Sequence, residues 1–508
     1  MLSGRVPLRI ALLYPPPWKI SRPGEAPPPS GEGPPADHAE GDLDSDFYQT
    51  PYGLFSLGAQ AIRAGHSAKV LNLSGFAWSR VEEVIGALDA DVYGLSCWTA
   101  NRRGVGYVAR LVKQLRPKAT VVVGGPHATP LAGEMLTHHP EIDLVTVGES
   151  EETLREIVHR LESRQSLEGI AGSVFRSAGQ PVYGPKRPAI ANLDLLESPH
   201  RHFDTHIVMT SRGCPWQCTF CGAETSWGRG YRSQSIPYVV DALASALERL
   251  PVKMIQIKDD TFTANQKRVR QLCQAIRARG LSFLWSCDTR VDVLSEDLLR
   301  EMRLAGCQRL SLGVESGSQA VLDAIQKKIS VQEIVEAAAM AKKVGIRVRF
   351  YMMLGNRGET AETFRETLAF LERAAPHDVG PVALRGVAVD PAVGLDQPQV
   401  GGRRRELREG PLAVEPAAHL EHVGDRGLRG EAPREDHARG VVSVARAGAV
   451  PEVAVVVRPP PHQPVEGLER RGLRGVRDGR EGRAHRTASA PREPAGDHHG
   501  VAGALFEG

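Results

Sequence analysis

Three of the chain's seven cysteines, Cys214, Cys218 and Cys221, fall within the eight-residue run C-P-W-Q-C-T-F-C. Thiolates are soft ligands that suit iron-sulfur clusters. Three of them on one tight loop leave one iron of a cubane cluster without a protein ligand, and an open coordination site is what substrate chemistry needs. A structural zinc site needs four closed ligands, usually from CxxC pairs, and no second pair is present. A ferredoxin-type cluster needs a fourth nearby cysteine. Cys273, Cys287 and Cys307 instead stand singly in helix, strand and strand-entry contexts, where a buried free thiol is the ordinary reading. Cys97 takes the same reading, although its place in a loop leaves a cofactor contact open.

Further polar residues stand where apolar runs end. I-Q-I-K-D-D-T-F, from Ile255 to Phe262, carries Asp259 and Asp260. A carboxylate there can accept hydrogen bonds from an ammonium; equally, the pair can cap a turn at a helix entrance, as Asn265 also suggests. Arg290, in C-D-T-R, can clamp a carboxylate with its planar fork or form a surface ion pair. Glu315, in S-L-G-V-E-S-G-S, is an acid in an apolar run leading to glycine, a setting that favours function over a solvated charge. Gly355 opens a glycine-containing turn, G-N-R-G, before a helical run.

The elements that must position these residues read as two alternating series. From Leu8 to about Leu161, five β-rich runs (8–13, 68–73, 91–96, 120–123 and 144–147) alternate with amphipathic stretches such as 53–64 and 104–115. Runs buried on both faces, each followed by a helix, predict a doubly wound parallel sheet, with ligands beyond the carboxyl ends of its strands. Ile170–Phe175 and Gln180–Tyr183 flank Ser177-Ala178-Gly179 and predict a connecting hairpin. A second series follows, with strands near 206–210, 253–258, 281–287, 309–314 and 346–353. Helical runs at 238–250, 267–279, 295–305, 318–325 and 331–344 separate them. Such strand–helix units predict a partial barrel with its site at the C-terminal strand ends.

The CxxxCxxC spacing, with Phe220 just before the last cysteine, resembles the radical S-adenosylmethionine (SAM) superfamily, and the likeness extends over roughly Ile207 to Leu371. It implies a four-iron four-sulfur cluster on Cys214, Cys218 and Cys221 whose open iron binds SAM, and reductive cleavage of SAM to a 5'-deoxyadenosyl radical. By the same resemblance Asp259 and Asp260 lie where the amino group of SAM is contacted. Glu315 would approach SAM or its ribose, and the segment around Gly355 would pass the adenine. A doubly wound domain directly ahead of such a core is similar to the cobalamin-binding members. The matching segments are Gly94-Leu95-Ser96, Gly124-Gly125-Pro126-His127-Ala128-Thr129 and Val147-Gly148-Glu149-Ser150-Glu151-Glu152-Thr153. The resemblance implies cobalamin, with the loops at Ser96–Thr99 and Gly124–Thr129 lining its nucleotide tail. No D-x-H-x-x-G motif is present to supply a histidine to cobalt. His127 alone can instead cap the following helix, and the whole domain can be a degenerate support for the barrel.

The expected architecture is therefore α/β: a doubly wound, parallel-sheet cobalamin-binding domain (1–165), a hairpin connector (166–200), a partial (β/α)6 radical SAM barrel (201–378) and a low-complexity tail (379–508). The expected activity is methylation of an unactivated carbon or phosphorus centre. A radical cyclisation or rearrangement, or a non-catalytic cofactor-binding remnant, are the alternatives. The substrate is expected to be a small molecule, a secondary metabolite among the candidates, with a flavodoxin or ferredoxin as electron donor. A net charge of +3 gives no strong pull toward nucleic acid or membrane. The apolar run 8–14 ends in Pro15-Pro16-Pro17, too short for a membrane span. Cysteine usage without a leader pattern places the expected protein in the cytoplasm.

The composition changes abruptly near Gly380. From there to Gly508 there is no Lys, Ile, Asn, Tyr, Trp, Met or Cys, and Phe506 is the only phenylalanine. The missing residues mostly have AT-rich codons and the enriched ones GC-rich codons. That pattern predicts a frameshift near 377–380 and a barrel lacking its sixth strand; a low-complexity linker is the alternative. The Pro-, Gly- and acid-rich stretch 21–46 is expected to be a mobile insertion.

Overall fold

The computed structural model describes residues 7–17 and 50–383. The expected insertion at 21–46 and the aberrant tail beyond 383 lie outside the described residues.

In the first domain the strands are β1 (Arg9–Tyr14), β2 (Ser67–Asn72), β3 (Val92–Ser96), β4 (Thr120–Gly124), β5 (Leu144–Thr146), β6 (Ser173–Ser177) and β7 (Gln180–Tyr183). They form one sheet in the order β2-β1-β3-β4-β5-β6-β7, parallel through β5. Its helices are α1 (Tyr52–Arg63), α2 (Trp78–Ala87), α3 (Arg102–Leu115), α4 (Ala132–His138) and α5 (Glu151–Glu162). Period-two alternation along the strands builds two cores. Leu13, Tyr93, Leu95 and Val123 pack with α2, α3 and α4 on one face. Ile10, Leu12, Val92 and Val122 pack with α1 and α5 on the other. Both faces are covered, so the strands read as continuous apolar runs.

The hairpin is more than a connector. β6 pairs antiparallel with β5, and β7 with β6, so both belong to the first sheet. Ala178 and Gly179 both have positive φ, +48° and +79°, the geometry of a tight hairpin turn. The short connection was legible in the sequence; the pairing partner, about thirty residues upstream, was not.

The second domain opens with β8 (Ile207–Val208), then the short strands β9 (Ser211–Arg212) and β10 (Arg232–Ser233) around α6 (Ala223–Trp227). There follow α7 (Ile236–Arg249), β11 (Met254–Ile257), α8 (Gln266–Ala278), β12 (Leu284–Thr289), α9 (Glu296–Leu304) and β13 (Cys307–Glu315). The domain continues with α10 (Gln319–Ala324), α11 (Val331–Lys343), β14 (Arg347–Leu354), α12 (Ala361–Ala374) and β15 (Asp378–Ala383). Helix starts are set by side-chain caps: Ser235, Asn265 and Ser295 each accept from a backbone N–H in the first turn, and Ser330 with Glu333 forms a capping box. Asn265, rather than either aspartate before it, caps α8.

The expected loss of the sixth strand is corrected. The second sheet has six strands in the order β15-β14-β13-β12-β11-β8, and β15 pairs parallel with β14 from Arg349↔Asp378 to Leu354↔Ala383. Its sequence, D-V-G-P-V-A, contains two residues that ordinarily break strands. A proline is tolerated here because β15 is an edge strand, paired on one side among the described residues. The compositional break thus begins inside an element that still completes the sheet.

Candidate cofactor centre at the domain junction

The cysteine loop lies between β9 and β10, which pair antiparallel through Arg212↔Arg232 and Ser211↔Ser233. Gly213 leads into it at φ +83°, and a Cβ there would stand 2.2 Å from the Gly230 carbonyl oxygen, so only glycine fits. Asp259 is buried and accepts four hydrogen bonds, from Thr210 N (2.6 Å), Thr210 Oγ1 (2.6 Å), Ser211 N (3.1 Å) and Ser211 Oγ (2.6 Å). Burial lifts its pKa above the ordinary value, and these donors pull in the opposite direction. Asp260 accepts from Gly213 N at 3.0 Å. The aspartate pair therefore grips the chain just ahead of Cys214. Arg268 reinforces that grip by donating to Thr210 Oγ1, Thr210 O and Gln234 O.

The three clustered thiols differ in environment from the rest. Cys97, Cys273, Cys287 and Cys307 are buried, whereas Cys214 and Cys218 are half-buried and Cys221 is exposed. Arg290 Nη1 donates to Cys218 Sγ at 3.4 Å, and Cys214 Sγ lies 3.5 Å from Thr261 Oγ1. Arg290 is neither a free clamp nor a surface ion pair. It is buried, held by Asp292 and the Lys327 carbonyl, with its guanidinium 4.8 Å from the Trp216 ring centre. Burial disfavours its charge, but the hydrogen bonds and charge of Asp292 outweigh this and raise its pKa.

Glu315 ends β13 at φ +72°, a strained conformation for a residue with a side chain. It sits beside a register shift between β13 and β14. Its buried carboxylate pairs with Lys327 Nζ at 2.7 Å, and the same ammonium lies 5.5 Å from the Phe220 ring centre. Gly355, at φ +88°, donates its N–H to Glu359 Oε2 at 2.5 Å. Glu315, Phe220, Arg290 and the cysteine loop are thus brought together, linked through Lys327, which stands in no motif.

At the carboxyl edge of the first sheet the loops are stitched to one another. Cys97 N donates to Gly124 O (2.7 Å), His127 N to Cys97 O (3.1 Å) and Gly148 N to Thr129 Oγ1 (3.2 Å). Gly125 sits at φ +111°, where a Cβ would come 2.8 Å from Cys97 O. The Ser96 carbonyl accepts from Asn101, and Thr99 Oγ1 meets His127 Nδ1 at 3.1 Å. Burial lowers the His127 pKa, favouring the neutral ring. Trp98 stands 40% exposed beside these loops.

Glu149 turns out to lie at the junction rather than among these loops' free polar groups. Its carboxylate takes Arg232 (2.7 and 3.1 Å), the Ile190 N–H (2.7 Å) and an ion pair with Arg212 (3.3 Å). Arg212 also donates to Glu151 Oε1 at 2.5 Å, which accepts from Ser56 Oγ at 2.8 Å. Burial works against the Glu151 carboxylate, but the charge and hydrogen bonds of Arg212 and Ser56 leave its pKa below the ordinary value. The residue two places before Cys214 is thereby locked to the loop after β5.

Two family models match the chain: the radical SAM superfamily over residues 208–371 and the B12-binding domain over 43–158. A Pyrococcus horikoshii protein named as an uncharacterized methyltransferase is 31% identical over 336 residues, covering 64% of this chain and 73% of that protein. This chain belongs to the cobalamin-binding radical SAM family. The Rubrivivax gelatinosus anaerobic magnesium-protoporphyrin IX monomethyl ester cyclase is 29% identical, covering 57% of this chain and 55% of that protein. The radical SAM methyltransferase TsrM from Kitasatospora setae shares the fold at 16% identity, with a TM-score of 0.58 over 73% of this chain and 72% of that one.

The family's cofactors are a four-iron four-sulfur cluster, SAM and cobalamin, and the residues present fit them. The three thiols do not converge as ligands of one metal ion do; in a cubane each thiolate takes a different iron and needs the wider spread. A cation at Cys218 and a glycine-bounded, partly exposed loop suit a charged cluster. The stitched edge, with the close backbone approach at Gly125 and the exposed Trp98, suits a large ring and its tail.

Proposed function

We propose that this chain is a cobalamin-dependent radical SAM methyltransferase acting on a small molecule. The observation that supports it most is the buried ion network of Arg212 with Glu149 and Glu151. It ties the cysteine loop to the segment after β5, the arrangement that two cofactors sharing one substrate would need. When bound, SAM at the cluster supplies a 5'-deoxyadenosyl radical and cobalamin supplies a methyl group.

The chain's own residues would orient and shield these groups. Cys214, Cys218 and Cys221 are the proposed cluster ligands, with Arg290 stabilising negative charge on the Cys218 sulfur. Lys327 and Glu315 offer a cation and a carboxylate beside Phe220, suited to the carboxylate and to the amino or ribose groups of SAM. Gly355 shapes the adenine approach. Asp259, Asp260 and Glu149 act as positioning residues, which is a different role from direct cofactor contact. Ser96, Gly124, Gly125 and His127 would line the cobalamin tail, with backbone N–H groups and hydroxyls toward its phosphate. No described helix is long and apolar enough to cross a membrane. A cytoplasmic flavodoxin or ferredoxin is the proposed electron donor.

Anaerobic reconstitution with iron, sulfide, hydroxocobalamin, SAM and a reductant tests this reading. 5'-Deoxyadenosine together with S-adenosylhomocysteine supports methyl transfer. Deoxyadenosine alone favours a cyclisation, the reading that similarity to the Rubrivivax cyclase supports. Neither product from a fully loaded chain would refute both.

A further inference from the structure

The face of the second sheet turned away from its helices carries positive charge that its described neighbours do not neutralise. Strand residues of one parity, among them Ile257, Trp285, Leu310, Val348 and Phe350, pack into the core with the helices. Residues of the other parity therefore face the barrel interior. The register sets Gln256 beside Ser286, Ser286 beside Arg309, and Ser311 beside Arg349. Two cations on this face have partners: Lys258 pairs with Asp288 at 3.4 Å and Arg347 with Asp378 at 3.7 Å.

Arg309 and Arg349 do not. Neither side chain has a hydrogen bond or ion pair among the described residues, and the Nε atom of each is buried without a partner. The Gln256 Oε1 atom on the same face is likewise buried and unpartnered. Arg349 lies 5.2 Å over the Tyr351 ring, which fixes its plane, and Gly380 leaves room for it: a Cβ there would stand 2.8 Å from Nη2. The two arginines stand on adjacent strands two residues out of register, a diagonal spacing of about 7–8 Å between their backbones, within reach of one bound group. A buried unpartnered guanidinium N–H is costly, and guanidinium forks match the oxygens of carboxylates and phosphates.

We infer that Arg309 and Arg349 form an oxyanion-binding subsite for the substrate inside the barrel. The substrate class is then a small molecule carrying a carboxylate, phosphate or phosphonate. Gln256 adds a second requirement, a hydrogen-bond donor on the substrate near that acidic group, because its free oxygen can only accept. This inference rests on the proposal above that the barrel holds the molecule to be methylated. SAM and cobalamin also carry anionic groups, but those are placed at the C-terminal strand ends and over the first sheet. Arg309 and Arg349 belong to the N-terminal halves of β13 and β14, away from both.

The test uses the holoenzyme loaded with cluster, SAM and cobalamin, so that their own anion sites are taken. Inorganic phosphate, methylphosphonate and acetate are titrated at constant ionic strength by calorimetry. The expected result is saturable binding of at least one probe that weakens about tenfold or more in Arg309→Gln and in Arg349→Gln, the loss of one charge-assisted contact. Preference for the phosphorus probes or for acetate identifies the acid. Arg365→Gln, an exposed arginine on α12, is expected to change nothing. Because neither arginine has a hydrogen bond or ion pair to lose, and an exposed-site cation–π contact is worth about 1 kcal/mol or less, thermal stability of the variants should stay close to the wild type. Equal probe affinity in the double variant, the same loss in Arg365→Gln, or no saturable binding of any probe would overturn the subsite. Absence of S-adenosylhomocysteine with probe binding intact would instead sink methyl transfer alone.

Discussion

Replacing Arg212 with methionine removes the cation that links the cysteine loop to Glu149 and Glu151 while keeping comparable side-chain volume. The side chains of Arg212 and Glu151 are only 6% exposed, so water screens their pairing little. Glu149 keeps Arg232, but among the described side chains Glu151 keeps only the Ser56 hydroxyl. Breaking one side of a buried pair costs about 3–5 kcal/mol, against less than about 1 kcal/mol for an exposed one. Urea unfolding should therefore show a destabilisation in the upper range, and Glu151→Gln in the same chain should restore a large part of it. The pH dependence follows from the sign of the Glu151 shift. In the wild type its lowered pKa stabilises the fold above the unfolded carboxylate value, and that contribution fades as pH falls through the lowered folded value. Without Arg212, burial alone raises the folded pKa, so the variant loses stability as pH rises through it. The deficit should shrink toward pH 4.5. A deficit below about 1 kcal/mol, or one indifferent to pH, would mean that the Arg212–Glu151 pair behaves as an exposed one.

Other perturbations probe the remaining links. Gly213→Ala should lower iron per chain after reconstitution, because its Cβ collides with the Gly230 carbonyl; a full iron load would contradict the account of the loop. His200 is buried, near Tyr52 and Ser198, with Nε2 2.9 Å from Ile207 O, and burial lowers its pKa to about 4. The unfolded chain takes up a proton below about 6.5 that the folded one refuses, so stability falls between pH 6.5 and 4 by about 3 kcal/mol from this group. His200→Gln should flatten that part of the unfolding profile; an unchanged slope would remove His200 as its source. Lys327→Met should weaken SAM binding about tenfold by leaving Glu315 unpaired beside the site; equilibrium dialysis giving unaltered affinity would exclude Lys327 from it.

Much of this architecture is local and was readable in order along the chain. Both alternating series, most strand positions and the cysteine loop follow from periodicity and spacing. β12 falls later than its apolar pattern suggests, at Leu284–Thr289 rather than 281–287, because Leu281 and Phe283 belong to the turn that feeds the strand. The functional contacts were less legible because they join distant segments. Arg212 and Glu151 are 61 residues apart, and nothing in V-G-E-S-E-E-T distinguishes a cofactor-facing carboxylate from one that crosses to another domain. Asp259 and Asp260 are adjacent, yet one is enclosed by Thr210 and Ser211 while the other holds Gly213; only the packed strand ends separate them. Lys327 follows a short helix within a Lys-Lys pair and resembles a solvated surface, although its ammonium lies over the Phe220 ring and the preceding Ile325 carbonyl accepts from Thr219. β15 was hidden by its glycine and proline, whose cost depends on whether a strand is central or at an edge.

Everything proposed for this chain depends on Cys214, Cys218 and Cys221 holding a cluster whose open iron takes SAM. Electron paramagnetic resonance of the anaerobically reconstituted, reduced protein tests it most directly. The expected result is a reduced four-iron four-sulfur signal that changes on adding SAM and disappears in Cys218→Ala. A full cluster signal in that variant, or one indifferent to SAM in the wild type, would contradict it.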